Sequence, residues 1–335
     1  MQMRFSAVVG LCLATACQTV TMSDPGNLVP RTVTEDSSLP AITLNGSRFH
    51  AETKGDLTKP VLIFLHGGPG GDYRSLLKLA DRYNGYALTD DFLLVFWDQR
   101  GAGLSQRHEK AMLTLDQYDA DMLALVDRFA PGGQVTLIGQ SWGGMYGTSF
   151  INRHPTRVKQ AVFIEAGPLK GATYERILND LFDINIWREW LNDYAWSAQF
   201  FSTDDHIRMD YQMAMGENDA QPRNNVRRGP GAEPSWRIGA MVNKYLQENG
   251  QDKHGKFNYD FTTNLSRFTK PVLLIAGGRS EVLGEPLQTE QRSLYGNATL
   301  KVVPGGGHDV HWTHSTEVMA LVQAFFSASA AAAQQ

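Results

Sequence analysis

Short apolar runs recur along the chain at 61–65, 92–97, 135–138, 158–164, 272–276 and 299–303. Most are apolar throughout rather than alternating, the pattern of parallel strands covered on both faces. Helical patterns fill the gaps, at 73–83, 115–129, 142–153 and 317–326. In the second of these, Met122, Leu125, Val126 and Phe129 share one face. Strands alternating with helices predict an α/β fold, a mostly parallel sheet flanked by helices. No internal repeat interrupts it. The alternation stops between residues 168 and 268, a stretch holding four of the seven tryptophans (Trp187, Trp190, Trp196 and Trp236). Leu178, Leu181 and Phe182, then Trp187, Trp190, Leu191 and Tyr194, recur there at helical spacing. So long a segment is not a structureless loop, and it is expected to be a helical insertion. Its aromatic stripe packs helix on helix, or else some rings, Trp187 and Trp190 among them, line a substrate pocket.

The two ends read differently. Arg4 precedes an apolar stretch over 5–16 that is too short to span a bilayer but fits the core of a secretory signal. Leu13-Ala14-Thr15-Ala16-Cys17 resembles the bacterial lipoprotein cleavage box, with Ala14 where that box usually has Leu. Cleavage before Cys17 followed by lipidation would anchor the protein at a membrane, on the periplasmic side of the outer membrane. Ordinary cleavage after Ala14-Thr15-Ala16 would release a soluble exported protein. The expected organisation is a leader over 1–16, a polar flexible tether over 17–40, a core over 41–167 and 269–326, the insertion over 168–268, and a disordered Ala/Ser/Gln tail over 327–335.

Composition narrows the function. Hydrophobic residues at 42% and charged residues at 20% describe a globular protein with a large core. A net charge of −4 offers no footprint for nucleic acid, and the cluster Arg223, Arg227, Arg228 is too small to supply one. Both cysteines lie in the first 17 residues, which excludes a disulfide framework and a cysteine-based zinc site.

The chemistry centres on Gly139-Gln140-Ser141-Trp142-Gly143, a G-x-S-x-G motif between a strand ending at 138 and a helix. A serine on such a turn is held in strained backbone above the carboxyl edge of the sheet. A hydroxyl needs a base to become a nucleophile, and in this arrangement the order is Ser, acid, His. His308, in Pro304-Gly305-Gly306-Gly307-His308 after the last strand, is the candidate base. His311 and His314 follow at intervals of three, but no separate carboxylate motif accompanies them as a metal site would require. The acid should follow the strand 272–276, where Glu281 comes first, with Glu285 and Asp309 in reserve. His66-Gly67-Gly68-Pro69-Gly70 follows the strand 61–65, the place that supplies an oxyanion donor. The backbone N–H groups of Gly68 and Trp142 would make that hole, with His66 fixing the loop.

Three blocks together, His66-Gly67-Gly68-Pro69-Gly70, Asp98-Gln99-Arg100-Gly101-Ala102-Gly103-Leu104-Ser105 and Gly139-Gln140-Ser141-Trp142-Gly143-Gly144, resemble the prolyl aminopeptidase (proline iminopeptidase) branch of the α/β-hydrolases, over roughly residues 41–326. The resemblance implies an eight-stranded core, a helical cap between the sixth and seventh strands, and serine chemistry without a cofactor. It implies Ser141 as nucleophile, His308 as base, Glu281 where the family usually has Asp, and Asp98 and Arg100 bracing the loop beside the site. The cap departs from the pattern. The family's Trp-x-x-Trp-Glu stretch, whose glutamate helps hold the substrate's amino group, has its nearest counterpart in Trp236-Arg237-Ile238-Gly239-Ala240, without the second Trp or the Glu.

A buried ammonium needs a carboxylate partner. Glu165, after the strand 158–164, is the first candidate, with Glu189 and Asp183 as others. The expected activity is therefore hydrolysis of a small molecule or short peptide through an acyl-enzyme. It is either that of an aminopeptidase taking an N-terminal proline or other small residue, or that of a carboxylesterase with an aromatic cap pocket. A cap carboxylate facing Ser141 favours the first. A catalytically dead binding protein is disfavoured by the intact catalytic set.

Overall fold

The computed structural model describes residues 29–181, 202–217 and 233–332. Eight strands form one sheet: β1 (Ala41–Leu44), β2 (Ser47–Lys54), β3 (Val61–Leu65), β4 (Leu93–Trp97), β5 (Val135–Gln140), β6 (Val158–Ile164), β7 (Val272–Gly277) and β8 (Ala298–Val303). Their order is β1-β2-β4-β3-β5-β6-β7-β8. The β1–β2 and β2–β4 pairs are antiparallel and every pair from β4 to β8 is parallel. The six parallel strands are those expected from the apolar runs. The antiparallel edge β1–β2 was not.

The strand period of two divides the core between the faces of the sheet. Along β3, Ile63 and Leu65 face one side with Met122 and Leu125 of α1 (Leu115–Phe129) and Phe150 of α2 (Trp142–Arg153). Leu62 and Phe64 face the other side with Leu76 and Val318. Helix α1 starts on Thr114, whose side chain accepts the Gln117 N–H at 3.2 Å and so satisfies one of the free donors of the first turn. The helix expected over 73–83 is a short 3₁₀ helix, Ser75–Ala80.

Between β6 and β7 the described residues form helices α3 (Gly171–Leu181), α4 (Asp205–Glu217) and α5 (Ala240–Asn249). They belong to the helical cap anticipated there. Helices α6 (Glu285–Arg292), α7 (Val310–Thr313) and α8 (Ser315–Ala332) complete the core.

Two boundaries differ from expectation. The supposed tether is ordered from residue 29 onward: Val33 is fully buried, its N–H donates to the Leu104 carbonyl at 2.8 Å, and Thr32 is buried beside it. Burying a valine is worth roughly 1.5–3 kcal/mol, enough to hold a short polar segment in place. The supposed disordered tail is also helical through Ala332, as a continuation of α8, whose Val318, Val322 and Phe326 are buried in the core. The leader, Cys17, Asp183, Trp187, Glu189 and Trp190 lie outside the described residues. Among the described residues no helix is long and apolar enough to cross a membrane.

Candidate active site

Ser141 stands between the end of β5 and the start of α2 with φ 55° and ψ −118°, a backbone that L-residues rarely adopt. Its neighbours enforce this. The Ser141 N–H donates to the Ile164 carbonyl at the end of β6, and its own carbonyl accepts from Gly144 and Gly167. The turn is crowded, and a Cβ on Gly143 would collide with the Leu65 carbonyl oxygen. The result is a serine at the carboxyl edge of the sheet, opening on a cavity of about 230 Å³. His308 lines the same cavity, as do Gly68 and Trp142.

The carboxylate partner of His308 is Glu165, not Glu281. Glu165 follows β6, is fully buried, and has φ 49°. Its Oε2 lies 3.3 Å from His308 Nδ1. Oε2 also accepts the Ser280 hydroxyl at 2.6 Å, and Oε1 accepts the Gly277 N–H at 2.6 Å. Glu281 and Glu285 are exposed. The physical reason lies in strand order. β6 is the immediate neighbour of β5, so a carboxylate leaving β6 emerges beside the serine turn. The loop after β7 reaches inward through Ser280, which completes the shell around Glu165 while Glu281 turns outward.

Burial works against a charge on His308, but the Glu165 hydrogen bond and charge outweigh it, helped by Glu233 and Asp309, and hold the imidazole above its ordinary value. Gln140 Nε2 lies 3.4 Å from both His308 Nε2 and the His308 carbonyl oxygen. The three histidines of the 308–314 segment have separate partners. His311 Nε2 meets Ser75 Oγ at 3.0 Å and Glu233 Oε2 at 3.2 Å, and His314 meets Thr313.

The glycine-rich loop after β3 is fixed by His66. Its Nε2 accepts the Gln99 N–H at 3.0 Å, which leaves Nδ1–H to donate to the Gly67 carbonyl at 2.8 Å. Gln99 in turn accepts the indole N–H of Trp142 at 2.9 Å. The block from Asp98 to Ser105 braces this loop. Asp98 accepts from Tyr73 N–H, Leu104 N–H and His50 Nδ1. Arg100 forms a buried two-pronged pair with Asp121 at 2.6 and 2.8 Å.

Two carboxylates on the cavity wall were not singled out from sequence. Asp72 Oδ2 accepts from Ser235 Oγ, Trp236 N–H and Arg237 N–H, tying the segment 233–238 to the core. Burial and the Asp98 charge push its carboxyl up to about 6. Glu233 lines the cavity from that same segment. No spacing marks either one, because each acts through a chain segment distant in sequence. Much of the remaining lining is apolar and aromatic, with Met145, Tyr174, Phe257, Tyr259 and Phe261.

A strand–Ser141–helix turn facing a histidine loop on this sheet order is the arrangement of an α/β-hydrolase. The chain belongs to that family: the alpha/beta hydrolase fold matches residues 60–315. A proline iminopeptidase of Pestalotiopsis fici is 25% identical over 285 residues, 81% of this chain and 92% of that one. A cis-3-alkyl-4-alkyloxetan-2-one decarboxylase of Shewanella oneidensis is 30% identical over 130 residues, only 38% of either chain. The crystal structure of a proline iminopeptidase of Mycobacterium smegmatis superposes with a TM-score of 0.62 at 18% identity, covering 88% of this chain and 99% of that one. The chain is thus a hydrolase similar to the prolyl aminopeptidases.

Proposed function

We propose that the protein is a serine hydrolase acylated on Ser141 and that it releases an N-terminal residue, proline or another small one, from short peptides or amides. His308 Nε2 takes the Ser141 proton as Oγ attacks the scissile carbonyl. The Gly68 and Trp142 N–H groups receive the oxyanion. His308 then protonates the leaving amine, and water enters by the same route to free the acyl group. Glu165 keeps the proton on Nδ1, so that Nε2 is the basic nitrogen, and stabilises the imidazolium. No cofactor enters this scheme.

Glu233 supports the aminopeptidase reading. Glu233 lines the cavity, pairs with His311 at 3.2 Å and lies near enough to His308 to raise it, so an ammonium beside the scissile carbonyl would meet a negative charge there. Glu165, the anchor expected from sequence, is fully buried and bound to Gly277, Ser280 and His308. The aromatic wall favours a second reading, a carboxylesterase that needs no amine anchor. The test compares a prolyl arylamide, an alanyl arylamide and a short-chain aryl ester on wild type, Ser141→Ala and Glu233→Gln. Loss of the nucleophile should cost on the order of 10⁶ on every substrate. Glu233→Gln should raise KM roughly ten- to hundredfold for the two arylamides, the worth of a charge-assisted hydrogen bond, and spare the ester. Equal small effects on all three would favour the esterase.

A further inference from the structure

The segment expected to be a tether is bonded to Arg237, which sits among residues that line the cavity. Arg237, on the 233–238 segment, is buried and gathers three separate stretches of chain. Its Nη1 donates to the Pro30 carbonyl at 2.7 Å and pairs with Glu35 at 3.3 Å. Its Nε donates to Asp210 of α4 at 2.8 Å. Asp210 also receives Arg107 Nε at 2.9 Å and, on its other oxygen, the N–H of Ala240, the first residue of α5, at 2.9 Å. The strap is itself preorganised. Glu35 accepts both the N–H and the hydroxyl of Thr32, at 2.7 and 2.8 Å, and Val33 plugs the core beneath.

The other side of the same backbone is substrate-facing. Arg237 N–H, with Trp236 N–H and Ser235 Oγ, is bound by Asp72, and Glu233 and Ile238 on either side line the cavity. Helix α5, whose first N–H Asp210 caps, contributes Asn243, Leu246 and Gln247 to the lining. A guanidinium fork is suited to this role because its donors have fixed mutual directions. Lysine could keep the charge but could not hold Pro30, Glu35 and Asp210 at once.

We propose that residues 29–36 are a working part of the substrate site: through Arg237, a positioning residue, the strap sets the place of the 233–238 lip and the start of α5, and with it substrate affinity. This rests on the cavity at Ser141 being the substrate site. The catalytic groups stand elsewhere: Ser141, Glu165 and His308 at the ends of β5 and β6 and in the loop after β8, and Gly68 on the loop after β3, which the strap meets only indirectly through Leu104.

The experiment uses the full chain as wild type, Arg237→Lys, Glu35→Gln, and a version with residues 29–36 replaced by a Gly/Ser stretch of equal length. KM and kcat on the arylamides and the aryl ester are read alongside the rate of inactivation by a small diethyl aryl phosphate, which needs only the nucleophile and its base. Arg237→Lys and the replaced strap are expected to raise KM about tenfold or more, and Glu35→Gln severalfold. The values of kcat and of the inactivation rate should stay within about twofold. A strap that only stabilises the fold would lower the melting temperature and the titratable fraction of active sites with KM unchanged, and that result overturns the proposal. If the two stronger variants do not fold, Glu35→Gln decides alone by the same criterion. A Ser141→Ala protein that still turned over the substrates would remove the site reading itself, whatever the strap variants do.

Discussion

Replacing Glu165 by glutamine changes one oxygen to an amide nitrogen in a fully buried pocket, and the surroundings dictate which way the amide must turn. Three donors converge on the native carboxylate: Gly277 N–H and Ser280 O–H at 2.6 Å and His308 Nδ1 at 3.3 Å. The backbone N–H of Gly277 can only donate, so the glutamine oxygen must stay there. The new NH₂ then faces Ser280, which can rotate and accept, and His308, which can accept only through a bare Nδ1. That forces the His308 proton to Nε2, the nitrogen that has to receive the serine proton. The wrong tautomer in a Ser–His–acid system costs roughly 10⁴ in kcat. Loss of a charged acceptor adds about 1.5–3 kcal/mol of destabilisation. Glu281→Gln, on an exposed side chain, should leave kcat within about twofold and stability within about 0.5 kcal/mol. The assay is kcat on the best substrate for both variants, with melting curves to correct for the folded fraction. A Glu165→Gln enzyme within tenfold of wild type, or a Glu281→Gln enzyme down a hundredfold, would refute the assignment of the acid.

The surroundings of His308 also set the pH dependence. Because His308 is held above its ordinary value of 6.5, the acid limb of kcat/KM should have its midpoint above that pH, and Glu233→Gln, by removing one of the charges that raise it, should move the limb down; a pH profile that leaves the limb in place contradicts this. The linked stability has the corresponding sign: the protonated ring favours the fold at low pH, and that contribution is lost as pH rises through the raised value. Gly143→Ala should yield insoluble or inactive protein, because its Cβ has nowhere to go between α2 and the Leu65 carbonyl. Gly46→Ala, at φ 71° but with open space around it, should fold and lose only about 1 kcal/mol by thermal melting.

Most of the parallel strands were legible because burial on both faces leaves little room for polar residues, so β3, β4 and β7 appear as uninterrupted runs, whereas β8 at the edge carries exposed Thr299 and Lys301. β2 was not legible, because Arg48, His50, Glu52 and Lys54 break its apolar pattern, and one of them, His50, is buried with its ring nitrogens met by Asp98 and Tyr73. The strap at 29–36 looked like a linker for a related reason. Its polar residues satisfy one another, Thr32 on Glu35, or are met by a partner two hundred residues away, Arg237. Hydrogen bonds of that range leave no periodicity behind. The acid posed a narrower problem. Glu165 and Glu281 each follow an apolar strand, and choosing between them required the register and the left-handed backbone at Glu165, neither of which composition encodes.

Moving the acid to β6 has a consequence for how the two tasks of the site are divided. If Glu281 held His308, Glu165 would stand at the carboxyl edge of the sheet as a core carboxylate free to receive an ammonium, and substrate recognition could reside in the core. With Glu165 occupied by Gly277, Ser280 and His308, the proposed amine anchor falls to Glu233 on the lip, which itself pairs with His311. That lip is not part of the sheet. It is fastened to the core by Asp72 below and Arg237 behind. On this reading, variants at the strand ends lower kcat whatever the substrate, whereas variants at Asp72, Glu233 or Arg237 act through KM and do so most for substrates with a free amino group. The same fold could then change its substrate by re-fastening a six-residue segment, with Ser141, His308 and Glu165 left where they are.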